Sequence, residues 1–441
     1  MAGFRHYGVL ALVFGLAAAA SARAQELPPN LLFEVRKPAV EALAARPVDR
    51  TEPVTDYILR TNIEGVGRTT GQVSVEFIPS AQRAAIDFLL HAQTTSQTVG
   101  YRGPVQLHST NLSDIMARKR VWFDADGLFP EPARGANQTE STLDDITTRF
   151  RRPLADCLMR MAAERKYRRT HERALRITEE HVDQRVAPRL DQDAQPDLDS
   201  ANRWYRERFR GPLAHHGIFA DELHTSTTES AILLSARLGN NKSKPPPAIA
   251  ASSDAALRLH ESLLNEGARR LLSGKTYTGA RFFDEFDDLL GPFRRRKKER
   301  PDEPELAITF AAERPAEFAF DKNEIRLTVH GTKFRSDDRE YEAMNITAVY
   351  KIAPTRLGFL AVRQGELEIY PPDFVKGRDR LTSSQVALRK LLQRRLGDLF
   401  QDEFELDEVE LPKELQKAGP LVPTQFEASH GWLLLGVRRG K

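Results

Sequence analysis

The chain has 441 residues, with 65 Lys and Arg against 62 Asp and Glu, 40% hydrophobic residues and one cysteine. The apolar share excludes a mostly disordered chain, and the near-balanced charge excludes a dedicated nucleic-acid binder. One cysteine excludes an intrachain disulfide framework and a cysteine-based zinc cluster, and at about 100–200 residues per domain the length fits two domains or three.

The first 24 residues read as a leader. Arg5 and His6 form a short polar start, Gly8 to Ala20 an apolar run, and Ala22-Arg23-Ala24 the small-x-small pattern of a cleavage site. A signal peptide over 1–24, cut near Ala24, predicts an exported protein, periplasmic or secreted. The apolar run is too short to cross about 30 Å of hydrocarbon, and no later segment reaches about 18 apolar residues. No transmembrane span is therefore expected in the mature chain. Cleavage removes Arg5 and Arg23 and leaves 63 basic against 62 acidic residues. In an oxidising compartment Cys157 is expected to be buried or idle.

Residues 30–46 carry apolar positions at helical spacing, with Pro38 inside the segment. Alternating runs follow at Val73, Val75 and Phe77, at Ile86, Phe88 and Leu90, at Val105 and Leu107, and at Val121 and Phe123. Period two with polar partners between predicts four half-buried antiparallel strands, the last closed by a turn at Asp124–Gly127. Residues 141–186 switch to a helical period. Ser141 and Asp144 resemble a capping box, Pro153 is expected to kink the helix or open a second one, and Leu143, Ile146, Phe150, Leu154, Cys157 or Leu158, and Met161 form an apolar stripe. An acidic, proline-containing loop at 188–200 leads to a helix around Trp204, Tyr205 and Phe209, then to a strand at Ile232, Leu234 and Ala236.

Residues 239–253 are a Pro-rich linker by composition. After it, Asp254 is positioned to cap a helix carrying Leu257, Leu264 and Leu271. Strands are expected at 306–310, 325–329, 344–352, and around Leu360 and Ile369. Thr382 and Gln385 form a capping box before Leu388, Leu391, Leu392, Leu396 and Leu399, and strand-like segments lie at Phe404–Leu406 and Leu433–Val437. The fold class is α+β, with two domains at 25–238 and 254–441. Each is read as an antiparallel meander sheet packed with long helices. Both halves read helix, strands, helix, strand at an offset of about 223 residues, the pattern of an internal duplication.

No motif names a reaction. Gly274-Lys275-Thr276 lacks the earlier glycine of a P-loop, and Gly274 fits a helix terminus better. There is no Gly-x-Ser-x-Gly elbow and no His-Glu-x-x-His. His171-Glu172 and Glu180-His181 are too far apart to share one tight helix face and read as solvated residues. His215-His216 alone makes a poor metal site. Asp191, Asp193, Asp197 and Asp199 do not match a calcium loop, since Pro196 occupies the turn position and no Glu closes the set. No metal or cofactor is expected.

Charge is distributed in blocks. Residues 149–176 hold ten Arg or Lys against Asp156, Glu164 and Glu172, residues 294–300 form a second basic cluster, and residues 402–414 are acidic. Arg149, Arg151, Arg152, Arg165, Lys166, Arg168 and Arg169 are the candidate ligand- or anion-contact residues, a face suited to anionic headgroups or cell-wall phosphates. Aromatics are not interleaved with them, so single-stranded nucleic acid is not the expected partner.

The repeated plan of helix, antiparallel meander and helix resembles the tubular lipid-binding superfamily of bactericidal permeability-increasing-protein type. That resemblance implies a bent sheet wrapped on a long helix around an apolar tube; it transfers no site residue. The segment from Gly71 to Gly127, with GQVSVEFIP, VGYRGPVQLHST and ARKRVWFDADGL, also resembles an uncharacterised group of bacterial exported proteins, which supplies no activity. The expected function is an exported, non-enzymatic binding protein of the cell envelope, holding a lipid or other amphipathic ligand between sheet and helix. An alternative is a structural or protein-interaction protein, docking an envelope protein or an anionic polymer through its charged segments. A hydrolase on an unrecognised scaffold is the second alternative.

Overall fold

A computed structural model describes residues 27–440, apart from 45, 241–243, 287, 288, 290–305, 338, 357, 398, 399 and 407–419. The leader, the basic cluster at 294–300, Leu399 and most of the acidic stretch at 402–414 lie outside the described residues.

The protein is α+β, with antiparallel strands in three sheets. Strand β1 (Leu31–Arg36) enters the middle sheet and helix α1 (Lys37–Ala44) follows it. Five long strands then build the first sheet: β2 (Arg46–Ile58), β3 (Thr61–Phe77), β4 (Ala84–Arg102), β5 (Val105–Asp124) and β7 (Arg134–Thr148), with the short β6 (Gly127–Pro130) beside the end of β5. Helix α2 (Pro153–Trp204) runs for 52 residues and continues through a π-helical segment at Tyr205–Arg210. Strands β8 (Glu222–Thr227) and β9 (Ala231–Arg237) return to the middle sheet.

Beyond the linker, β10 (Ala255–His260) pairs with β1, and α3 (Glu261–Leu272) follows it. A second large sheet comprises β11 (Thr276–Thr278), β12 (Leu306–Phe310), β13 (Ala316–Asp321), β14 (Glu324–Ser336), β15 (Arg339–Tyr341), β16 (Met344–Pro354), β17 (Phe359–Arg363), β18 (Glu368–Tyr370) and β19 (Glu403–Leu406). Helix α4 (Ser383–Leu396) opens on the Thr382–Gln385 capping box, and Leu388 and Leu392 bury its inner side. Strands β20 (Leu421–Ser429) and β21 (Trp432–Arg439) end the chain in the middle sheet.

The middle sheet has the order β20-β21-β10-β1-β9-β8. Its centre is the antiparallel pair β1–β10, with Leu31 opposite Leu259, Phe33 opposite Leu257 and Val35 opposite Ala255. That pair is the opening strand of each half, and outward from it each half adds first its last strand, then its last but one. The linker crosses this sheet with fixed contacts. The Trp432 indole donates to the Lys244 carbonyl at 2.8 Å, and the Arg36 guanidinium donates to the carbonyls of Ala250, Ala251 and Ser253 at 2.9–3.1 Å.

Four sequence readings are corrected. Residues 31–36 and 255–260 are strands, not the starts of helices, because Leu31, Phe33 and Val35 alternate as well as they repeat helically, and so do Ala255, Leu257 and Leu259; pairing on both sides of each decides the matter. Residues 141–148 belong to β7 rather than to a capped helix, since Asn137, Thr139, Ser141 and Leu143 continue a period-two face along β5. The helix instead begins at Pro153, whose missing N–H costs nothing in the first turn. Residues 188–200 are helix, not loop, despite Pro188 and Pro196, because Leu190, Ala194, Leu198 and Ala201 make a buried stripe that tertiary packing sustains. The runs at 105–107 and 121–123 are two ends of one strand of 20 residues.

The first sheet and α2 form a rod. At its base Val73, Val75, Phe77, Ile86, Phe88, Val121 and Phe123 pack with Ala194, Leu198 and Ala201 of α2 and with Leu31, Val35 and Leu234 of the middle sheet. Further out, α2 bridges both edges of the sheet. His181 bonds Asp56 on β2 at 2.9 Å, with Arg185 at 3.3 Å from the same carboxylate, while Asn137 on β7 donates to the Glu179 carbonyl at 2.7 Å and to Asp183 at 2.9 Å. The face turned to the helix here is narrow and polar. Thr69 bonds Thr94 at 2.7 Å, Ser113 bonds Thr139 at 2.8 Å, and Asn111 donates to Thr98 at 3.0 Å. Gly71 permits the tight curl of β3 on β4, since a Cβ there would lie 2.3 Å from the His91 carbonyl oxygen.

Candidate functional site

The distal end of the rod is assembled from two hairpin turns and the start of α2. Leu59 and Arg60, both at positive φ, turn β2 into β3, and Gly103 at φ +57° turns β4 into β5. Arg102 donates to the Leu59 carbonyl at 2.9 Å, and the Arg149 amide donates to the Pro104 carbonyl at 2.9 Å, so the three segments are tied together. Along β3 this end lies fifteen residues from Phe77 in the base core, about 50 Å at the usual strand rise.

The first turns of α2 are fixed by polar contacts on one side. Thr148 donates to Asp156 at 2.6 Å, and Arg160 bridges to the same carboxylate at 3.0 Å. The Thr148 hydroxyl, with the Arg160 charge, holds the Asp156 carboxyl below its ordinary range despite the opposing effect of desolvation.

On another side of the helix, Leu154 is 82% exposed, Leu158 63% and Met161 53%, with Phe150 just before them at 43% and Cys157 exposed among them. Positions 154, 157, 158 and 161 share one helix face. On the same face, one to two turns further on, stand Arg165, Arg168 and Arg169. Tyr57 and Tyr101 are exposed near the two hairpin turns, on the face of the sheet turned away from α2. The result is an apolar stripe at the tip that grades into arginines along one line.

All seven contact residues expected from the sequence lie on this stretch and are exposed. Arg149, Arg151 and Arg152 stand in the loop before α2; Arg165, Lys166, Arg168 and Arg169 stand on the helix. Arg168 pairs with Glu164 at 2.5 Å, and the other six form no ion pair among the described residues. Between 149 and 169 there are eight basic residues against Asp156 and Glu164, and both carboxylates are engaged within the helix. Cys157 is exposed, which removes burial from the expectation that it is buried or idle. The apolar spacing of 154–161 was legible, but spacing reports that a face exists and not that it has a partner. Tyr57 and Tyr101 were missed; β2 was not read as a strand because Pro47, Pro53 and its charges break the alternation.

The other candidate clusters serve the fold. Asp191 accepts from buried Lys119 and from the Ala133 amide at 3.0 Å, and Asp193 meets Arg50 at 3.4 Å and Arg189 at 3.5 Å. His181 is bound to Asp56, so it is not the solvated residue expected. The imidazoles of His215 and His216 meet edge to face at 4.9 Å. Among the described residues no group of three or more His, Cys, Asp or Glu is placed to hold a metal, and no helix is long and apolar enough to cross a membrane. Gly274 follows the end of α3 at φ +67°, the place of a helix terminator.

At the base of the rod the space between sheet and α2 is nearly filled. A cavity lined by Val73, Phe88, Leu90, Lys119, Val121, Leu190, Ala194 and Leu198 measures about 10 Å³, room for roughly one water. A lipid chain does not fit in it. At the base of this unit a packed core stands where the resemblance implied an apolar tube, and further out the face turned to α2 carries polar side chains.

No family model matches the chain, and no curated protein matches it. Among solved structures it is similar to one described as a lipopolysaccharide binding protein, at 10% sequence identity and a TM-score of 0.33, covering 93% of this chain and 99% of that one.

Proposed function

We propose that this is an exported, non-enzymatic binding protein that docks onto anionic amphipathic surfaces through the tip of its N-terminal rod. The observation that carries the reading is the uncovered stripe of Leu154, Cys157, Leu158 and Met161 beside arginines without ion-pair partners. Large exposed apolar groups rimmed by cations fit an interface with apolar material below and phosphate or carboxylate above. Arginines on the same helix face have long apolar stems and can follow the apolar residues inward while their heads reach the anionic layer. The packed base under α2 leaves no room there for a lipid chain and so favours the exposed tip as the contact. Export rests on the leader pattern at 1–24, and the same half-by-half order in the middle sheet supports a duplication of one ancestral unit.

Co-sedimentation with vesicles tests the reading. Phosphatidylcholine vesicles containing phosphatidylglycerol should bind the protein, pure phosphatidylcholine vesicles should bind it far less, and added salt should weaken the anionic case. Leu154→Glu with Leu158→Glu should weaken the binding sharply. Equal binding of the double variant, or no preference for anionic vesicles, overturns the reading.

A further inference from the structure

The C-terminal unit carries a second surface of similar chemistry, built from other elements. Asn345 at one end of β16 pairs with Tyr370 of β18. At the other end, the Ile352 amide bonds the Asn323 carbonyl, and Asn323 in turn bonds Ala428 of the middle sheet. Seven residues separate these ends, about 23 Å at the usual strand rise, so Tyr370 lies at the end of β16 remote from the shared sheet.

There the Tyr370 ring stacks on Phe374, with centroids 4.8 Å apart. The Arg389 guanidinium lies 4.8 Å from the Tyr370 centroid and the Lys376 ammonium 5.1 Å. Val375 and Val386 are exposed beside this stack. Helix α4 buries Leu388 and Leu392 and turns Val386, Lys390 and Arg394 outward, four residues apart on one line. Residues 371–395 hold seven basic side chains against Asp373 and Asp379. Nearby acids are in use: Glu368 pairs with Lys376 at 2.5 Å, and Asp379 pairs with Arg378 at 3.0 Å and accepts from the Val375 amide. Arg380, Arg389, Lys390 and Arg394 form no ion pair among the described residues.

We propose that this distal face is a second contact for an anionic lipid surface, so that one molecule bridges two such surfaces. Exposed valines and an aromatic stack among uncompensated cations complement an anionic bilayer as the rod tip does, and the two faces stand at the far ends of separate units. This inference rests on the function proposed for the tip, and binding and bridging are measured separately.

The experiment uses the full chain and phosphatidylcholine–phosphatidylglycerol vesicles. Binding is read by co-sedimentation and clustering by light scattering. Native protein should bind and cluster the vesicles. The triple variant Val386→Ser, Lys390→Glu, Arg394→Glu changes only outward side chains and should bind through the tip while clustering falls about tenfold. The tip variant Leu154→Glu, Leu158→Glu should keep a weak, salt-sensitive binding that the triple substitution removes, a result that self-association through the second face does not give. Binding by the native protein without clustering overturns the bridge alone, as does clustering by the triple variant at the native level. A native protein that binds no anionic vesicle overturns both the bridge and the function on which it rests.

Discussion

Helix α2 carries two apolar stripes, and they should respond oppositely to truncation. Leu198 is 2% exposed, packed in the base core, while Leu158 is 63% exposed at the tip. Leu198→Ala removes buried methyl groups from a site that already borders a small cavity, and the cost should be about 3 kcal/mol, within the usual range for such truncations. Leu158→Ala removes groups that water already reaches, in a helix where alanine is the better former, and should change stability by less than about 0.5 kcal/mol. With a urea slope of about 3 kcal/mol per M, the first substitution moves the midpoint down by about 1 M and the second leaves it in place. Far-ultraviolet circular dichroism during urea titration reads both. Equal shifts would show that Leu158 packs inside the folded protein, and the tip would then have no spare apolar surface to offer.

Two further outcomes follow from buried polar groups. The Lys119 side chain is almost fully buried and Asp191 is partly exposed, so their substitutions are asymmetric. Asp191→Ala strands an ammonium group and should cost about 3 kcal/mol, whereas Lys119→Met leaves a carboxylate that still reaches water and the Ala133 amide and should cost clearly less; urea midpoints compare them. His260 accepts from the Ser262 amide at 3.2 Å, and burial holds its imidazole below the ordinary histidine value. The unfolded chain therefore takes up that proton first, so this contribution is complete above about pH 6.5 and is lost as pH falls toward the lower folded value. His260→Asn keeps an acceptor that does not titrate, and its melting temperature should fall less than that of the native protein between about pH 7 and pH 5.

Much of the strand pattern was legible because one face of each strand is apolar near the base. Val73, Val75 and Phe77 opposite Leu90, Phe88 and Ile86 report their own pairing. The outer half of the same strands was not legible, since Thr94, Ser96, Thr98, Asn111 and Ser113 bond one another or neighbouring strands across a polar face and give no hydrophobic alternation. At β1 and β10 the short apolar runs satisfied two periods at once, and only the neighbours β9 and β21 resolved them. The capping box at Thr382 was read correctly because both of its bonds are local. The shared middle sheet could not be read, because joining Leu31 to Leu259 is a contact between halves that no local pattern encodes. For the site, composition found the arginines of 149–169, while the exposure of the leucines beside them depends on where β7 ends and how α2 crosses the sheet.

The sole cysteine offers the most direct measurement. Cys157 is exposed in the centre of the tip stripe, so an environment-sensitive fluorophore attached there reports on that face alone. On anionic vesicles its emission should shift to the blue and become shielded from aqueous quenchers, with neither change on phosphatidylcholine alone. A labelled protein that binds anionic vesicles while its fluorophore stays in water would contradict docking through the tip.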